Sequence, residues 1–313
     1  PQIVSNTAEV IVYPDPTINL NPTVSQMICI GGTISTPLQV GYTNGIGIPT
    51  YQWYSNTTNS NIGGNIIPGA NSNLYTPPTF TSTGNNYYYC EVSLSGNGCD
   101  NVTSAVAEIQ VFNDPTVTDP ITTQQICENT IPTDLQVSAS GGMPGATFTY
   151  QWYSNTANSN SGGTQILGAT NSTYTPSTVA SGTTYYYCVV QQNNGNSGCE
   201  TVSNTAEVIV NPGPSFNTQP QDIQVCEGAT ISAPLTVSYI NGVGTPSYQW
   251  YANTVDNNTT GTQIIGEINP TYTPPTTSPA TTYYYCTITL TGGGCPQIVS
   301  NTAEVIVYPD PTI

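Results

Sequence analysis

Residues 1–18 of the chain, PQIVSNTAEVIVYPDPTI, return letter for letter as residues 296–313, an offset of 295 residues. Inside that span a unit of about 98 residues occurs three times with its landmarks in one order. These are an early cysteine (Cys29, Cys127, Cys226), a YQWY segment (Trp53, Trp152, Trp250), a YTP turn, a YYYC segment (Cys90, Cys188, Cys286) and a Gly-Cys turn (Cys99, Cys199, Cys295). Self-similarity at such a period marks a tandem array in which each unit is one structural module. Seams fall at the Pro-rich stretches 14–16, 113–115 and 211–214. Residues 1–13 therefore read as the last strand of a preceding repeat, residues 14–112, 113–211 and 212–308 as three domains, and residues 309–313 as the start of a next repeat. No signal-peptide pattern is expected in a chain that opens inside a repeat.

Each unit reads as all-β. β-branched and aromatic residues alternate between clusters of Gly, Asn, Pro and Ser, and no amphipathic helix stands out. In the first unit Tyr88, Cys90, Val92 and Leu94 share one parity and are predicted to face the core. Tyr87, Tyr89, Glu91 and Ser93 share the other and are predicted to face solvent. Asn44-Gly45 and Asn241-Gly242 carry turn signals. A Trp on a central strand (Trp53, Trp152, Trp250) and a Tyr two residues before an inward Cys (Tyr88, Tyr186, Tyr284) are hallmarks of an immunoglobulin-like sandwich. The early Cys precedes the Trp by 24 or 25 residues, which places it before strand B. The fold class predicted is a tandem of immunoglobulin-like β-sandwiches forming an extended rod, because the linkers hold Pro and little flexible padding.

Charge narrows the function. The chain has 17 acidic residues and no Lys, Arg or His, for a net charge of -17. It has no cation with which to neutralise phosphate, so nucleic acid and direct contact with anionic membranes are excluded as partners. General acid-base catalysis usually draws on His or Lys, and oxyanion stabilisation on Arg, Lys or a metal. The carboxylates are scattered, against a paired glycosidase arrangement. No catalytic residue, metal site or cofactor is expected; a zinc site on a Cys triplet would lack its fourth ligand. Apolar runs such as Ala8 to Tyr13 are far too short to span a bilayer.

The unit CEGATISAPLTVSYINGVGTPSYQWY, followed by GTQIIG, YTPPT, TTYYYC, GGGC and SNTAEVIV (226–307), resembles the Ig-like repeats of very large Bacteroidota surface proteins, including SprB-like gliding adhesins exported by the type IX secretion system. The resemblance covers all three units. It implies a cell-surface, extracellular filament, stalk or adhesin whose partners are neighbouring repeats of the same chain, other filaments or surface glycans.

Nine cysteines, three per unit, suit an oxidising compartment. The resemblance, to repeats that carry only two cysteines, implies pairing the early Cys with the Gly-Cys turn: Cys29 with Cys99, Cys127 with Cys199, and Cys226 with Cys295. Cys90, Cys188 and Cys286 are then buried free thiols. The antibody-like alternative joins the early Cys to the YYYC Cys. A closed loop of about 70 residues stabilises each domain by roughly 4 kcal/mol in the chain-entropy model.

Three tyrosine clusters are candidate binding surfaces: Tyr54, Tyr87 and Tyr89; Tyr153, Tyr185 and Tyr187; Tyr251, Tyr283 and Tyr285. Exposed rings there would stack on sugars or on another filament, whereas cross-strand packing is the structural alternative. Sequons at Asn56, Asn101, Asn171, Asn257 and Asn258 are weak signals in so Asn- and Thr-rich a chain, and Asp15, Asp114 and Asp310 form no dense cluster for Ca²⁺. The function read from the sequence is a stiff, anionic stalk segment of an extracellular adhesin. A glycan-binding module and a donor-strand-linked, pilus-like subunit are the alternatives, the latter opposed by residues 296–308, which already complete the third domain.

Overall fold

A computed structural model describes residues 1–95, 99–120, 122–192 and 198–311. Every regular element among them is a β-strand. The first repeat contains β1 (Thr17–Leu20), β2 (Ser25–Cys29), β3 (Leu38–Gln39), β4 (Gly41–Thr43), β5 (Pro49–Asn56), β6 (Asn65–Ile66), β7 (Leu74–Tyr75), β8 (Gly84–Leu94), β9 (Val102–Thr103) and β10 (Ala107–Phe112). One sheet has the order β2-β10-β8-β5-β6, with β9 also on β8, and the facing strands pair as β1-β4 and β3-β7. The second and third repeats show the same strand order. This is an immunoglobulin-like sandwich with its long G-F-C type sheet intact.

Binary patterning builds the core. In β10 the burial alternates strictly, with Ala107, Ile109 and Val111 inward. They meet Tyr88, Cys90 and Val92 of β8, Trp53 of β5, and Leu38 and Val40. Trp53 lies opposite Cys90 in the β5–β8 register and is fully buried. Its indole N–H donates to the Ser72 carbonyl at 2.8 Å, so the ring enters the core with no orphaned donor. Tyr75 stacks on Trp53 at 5.7 Å between centroids and in turn meets Tyr88 at 5.8 Å. Trp152 and Trp250 make the same indole bonds, at 2.9 Å to Asn171 and Asn269. A buried serine closes the break between β9 and β10: Ser104 Oγ accepts the Cys90 N–H at 3.0 Å, and Ser203 and Ser300 do the same for Cys188 and Cys286.

The strand pairing with most consequence is parallel. β2 runs alongside β10 from Ser25 opposite Glu108 to Cys29 opposite Phe112. The second and third repeats repeat this register, ending with Cys127 opposite Asn211 and Cys226 opposite Tyr308. The early cysteine therefore ends a strand before strand B, at the end of the sandwich from which the chain leaves toward the next repeat.

By backbone contacts the chain falls into two compact units. One comprises residues 1–118, 138–151 and 188–203, and the other residues 119–137, 152–187 and 204–313. Each unit thus contains one junction between successive repeats.

Residues 1–13 form no strand, and Ile3, Val4, Val10 and Val12 are exposed. The same letters at 296–308 supply Ile298–Val299 and Ala303–Tyr308, and Ala303, Val305 and Val307 are buried. The difference is the presence of partner strands, here Ala280–Gly292 and Ile223–Cys226. Deleting residues 1–13 is expected to leave the thermal midpoint of the three repeats unchanged. Deleting the matching residues 303–308 is expected to unfold the third repeat, as loss of its near-UV circular dichroism would show.

Candidate functional site

The structure places its only disulfides among the described residues at the junctions between repeats. Cys29 bonds to Cys199 with Cα atoms 5.0 Å apart, and Cys127 bonds to Cys295 at 4.7 Å, both within the usual bridging range. The pairings Cys29–Cys99, Cys127–Cys199 and Cys226–Cys295 are corrected by this geometry. In a single sandwich the early Cys sits at the exit end and the Gly-Cys turn precedes the last strand, at the entry end. A run of strand rising about 3.3 Å per residue separates the two. The antibody-like pairing is also overturned, because Cys29 and Cys127 are bonded elsewhere and Cys90, Cys188, Cys226 and Cys286 are free thiols.

The first junction is apolar. Cys29, Met143 and Cys199 form a buried cluster with Met27, Phe112 and Ala146 packed against it. Gln192, almost fully buried, holds the loop that carries Met143: its Oε1 accepts the Met143 N–H at 2.6 Å and its Nε2 donates to the Gly141 and Met143 carbonyls. Gly198, at φ 109°, precedes the bonded cysteine, and a Cβ on it would lie 2.4 Å from Gly32 Cα. No side chain fits there.

The second junction is polar. Asn211, buried, donates through Nδ2 to the Gly293 carbonyl at 2.8 Å, and Gln125 donates to its Oδ1 at 3.4 Å. Gly294, at φ 69°, again precedes the cysteine, with a Cβ only 2.8 Å from the Gln125 carbonyl oxygen. The linkers are fastened as well. The Pro14 and Pro212 carbonyls accept N–H bonds from Gly45 and Gly242, each at 3.0 Å. Those glycines belong to the two Asn-Gly turns, where Asn44 and Asn241 adopt positive φ. The Glu128 carboxylate accepts the Ser181 N–H at 2.8 Å and the Gly213 N–H at 3.2 Å, and these bonds hold it below the usual carboxylate range.

A family model described as Domain of unknown function (DUF8696) matches residues 21–113, 119–212 and 216–309. The chain belongs to the DUF8696 family. No curated protein matches the sequence. Among solved structures the chain is similar to the I-band fragment I67–I69 from titin, with 14% identity over 96% of this chain and 100% of that one and a TM-score of 0.49. It is also similar to extracellular domains 3–5 of Drosophila OTK, with 16% identity over 94% and 97% of the two chains and a TM-score of 0.38.

In each DUF8696 unit the second cysteine, that of the YYYC segment, is a free thiol in the core: Cys90, Cys188 and Cys286 are fully buried. Burial pushes Cys90 and Cys286 up to about 12 and Cys188 up to about 11. Trp53, Trp152 and Trp250 are fully buried, and Tyr88, Tyr186 and Tyr284 nearly so.

The tyrosine surfaces need a correction. Tyr89, Tyr187 and Tyr285 have the outward parity but are buried, at 4%, 4% and 3% exposure. Each stacks on Tyr54, Tyr153 or Tyr251, with centroids 5.0–5.2 Å apart. Each phenol oxygen also accepts a backbone N–H, from Gly64, Gly163 or Gly261, at 3.0 Å. A Cβ on Gly64 would sit 2.9 Å from the Tyr89 ring, so the glycine lets the loop close over it. Tyr185 and Tyr283 spend their hydroxyls on Glu207 and Glu304, each at 2.8 Å. Tyr87 is half-buried, its hydroxyl accepting from Asn85 at 3.4 Å. No group of three or more metal-ligating side chains occurs among the described residues. Asn56, one of the sequon asparagines, uses its amide to hold the carbonyls of Ser60 and Ile62.

The thiol assignments yield two expectations. Native protein treated with iodoacetamide at pH 8 should be alkylated at Cys99 and Cys226 alone, with Cys90, Cys188 and Cys286 reacting only after unfolding, as peptide mass spectrometry would show. Because the fold favours the neutral core thiols, their contribution is complete below the ordinary thiol value of 9.0 and is lost as pH rises toward about 12. Urea midpoints should accordingly fall from about pH 9 upward.

Proposed function

We propose that the chain is a segment of the structural stalk of an extracellular adhesin at the cell surface, of the SprB-like Bacteroidota kind exported by type IX secretion. The observation that carries this reading is that both described junctions between consecutive DUF8696 units are closed covalently, by Cys29–Cys199 and Cys127–Cys295. A disulfide that joins neighbouring domains contributes to their mutual placement, which is what a spacer needs and a catalyst does not. Such bonds persist in oxidising compartments, in accord with an extracellular position. Taken alone, closing a loop with a sequence separation of 170 residues constrains the unfolded chain by about 5 kcal/mol in the chain-entropy model. The linker bonds at Pro14, Pro212 and Glu128 act in the same direction.

The glycan-binding alternative loses support from the burial of Tyr89, Tyr187 and Tyr285, since only one ring of each stacked pair remains partly open. A donor-strand subunit keeps one supporting observation, the exposed apolar residues of 1–13. The third repeat, however, is already completed by its own Ala303–Tyr308.

Proteolysis tests the stalk reading. The absence of Lys and Arg removes every trypsin-type site, so a broad protease is the informative reagent. A variant carrying Cys199→Ser and Cys295→Ser should be cut at the seams 113–115 and 211–214 about tenfold faster than the oxidised parent, equivalent to ~1.4 kcal/mol of easier local opening. Equal cleavage rates would show that the bonds do not hold the junctions and would remove the basis of the proposal.

A further inference from the structure

The Asn-Gly turns that hold the linkers carry a reactive dipeptide, and the fold itself puts it there. Asn241 and Gly242 have φ of 61° and 73°, and Asn44 and Gly45 have 65° and 77°. Two successive positive values are the signature of a type I′ turn, whose first central place suits Asn. The second place admits no side chain. A Cβ on Gly242 would run into Leu290 and Pro214, and one on Gly45 into Leu94. In the second repeat Gly141 and Gly142 take the same two places, at φ 76° and 73°, so the turn also forms without Asn.

A glycine nitrogen that follows Asn has no side chain to shield it, which makes it the main-chain amide best able to attack the Asn carboxamide. Asn241 is exposed, so water reaches it. Backbone geometry nevertheless blocks the attack. The five-membered ring that must form needs the Gly242 nitrogen on the same side of the Cα–C bond as the Asn241 Cβ. In the left-handed region, where ψ is about +30 to +60°, that nitrogen points nearly opposite to Cβ. Its N–H is also spent on the Pro212 carbonyl at 3.0 Å, as the Gly45 N–H is on Pro14. The closed linker clasp and the ring exclude each other.

We propose that Asn241 is a modification site, deamidated only in molecules whose clasp at Pro212 has opened, and that its conversion keeps the clasp from closing again. Asn44 is the same site at the Pro14 linker. In the opened turn the Gly242 nitrogen loses its proton and bonds to the Asn241 Cγ. The Cγ–Nδ2 bond breaks, and ammonia carries that proton away, leaving a succinimide. Water then opens the ring at one of its two carbonyls, giving aspartate or isoaspartate, with no change of oxidation state. Isoaspartate routes the main chain through Cβ and so inserts one methylene into the turn. Gly242 then no longer fits between Leu290 and Pro214 with its N–H under the Pro212 carbonyl.

The test incubates the full chain, disulfides intact, at mildly alkaline pH with and without urea, and follows Asn241 by peptide mass spectrometry. Conversion in urea should be at least about tenfold faster than in the native protein. Equal rates overturn the proposal. Asn241→Gly, which copies the Gly141-Gly142 turn, should keep the thermal midpoint of the parent. After ageing in urea and refolding, a broad protease should cut residues 211–214 at least about threefold faster in the parent than in Asn241→Gly, the two being equal when fresh. Equal cutting after Asn241 has converted overturns the release of the linker. Fresh Asn241→Asp separates the added charge from the inserted methylene. It should be cut like fresh parent, and cutting as fast as in the aged parent overturns the isoaspartate step. The stalk reading is untouched by either result, because Cys127–Cys295 stays closed throughout.

Discussion

Parallel pairing of the second strand with the last one is the constraint from which the rest follows. An antiparallel neighbour would return the early cysteine toward the end where the chain enters the sandwich. Running beside Ala107–Phe112, the strand Ser25–Cys29 instead delivers its cysteine to the exit end. There the nearest thiol belongs to the following repeat. The Gly-Cys turn complements this, because Gly198 and Gly294 let the incoming backbone approach to distances that a side chain would forbid. Strand direction and a missing Cβ together convert an array of separate sandwiches into a cross-linked one.

Much of each sandwich was legible in the sequence. The alternation in Ala107–Phe112 and the inward parity of Tyr88, Cys90, Val92 and Leu94 need only the two-residue period of a strand. The indole positions follow from the YQWY pattern. Disulfide partners were not legible, because spacing along a chain does not say at which end of a sandwich a residue lies. Nine cysteines in groups of three did carry a signal: an odd number per unit cannot close within the unit. Tyr89 escaped for a different reason. Parity correctly put it on the outer face, but a loop licensed by Gly64 covers that face. Of the junction residues, Met27 lies in the middle of the short strand Ser25–Cys29, Phe112 at the end of Ala107–Phe112 and Met143 in a loop, where no long alternation flags them.

The duplicated stretch shows how far local sequence goes. Residues 1–12 and 296–307 are identical, yet one copy is exposed and irregular while the other supplies Ile298–Val299 and most of Ala303–Tyr308, a strand paired on both sides with Ala303, Val305 and Val307 buried. β-propensity describes a side chain's fit to a pleated, half-buried surface, and that surface must be supplied by neighbours. A strand in this family is a property of the array as much as of its own letters.

The two cross-links also overlap along the chain, since Cys127 lies inside the loop closed by Cys29 and Cys199. Pulled from its ends, such a molecule does not draw out to the contour of its whole backbone. The shortest covalent route enters at Cys29, crosses to Cys199, runs backward to Cys127 and crosses again to Cys295. Residues 30–126 and 200–294 remain slack on that route. At about 3.3–3.6 Å per residue, the taut path is less than half the length of the fully extended chain. The cysteines therefore set a ceiling on how far the segment can lengthen, whatever becomes of its hydrogen bonds.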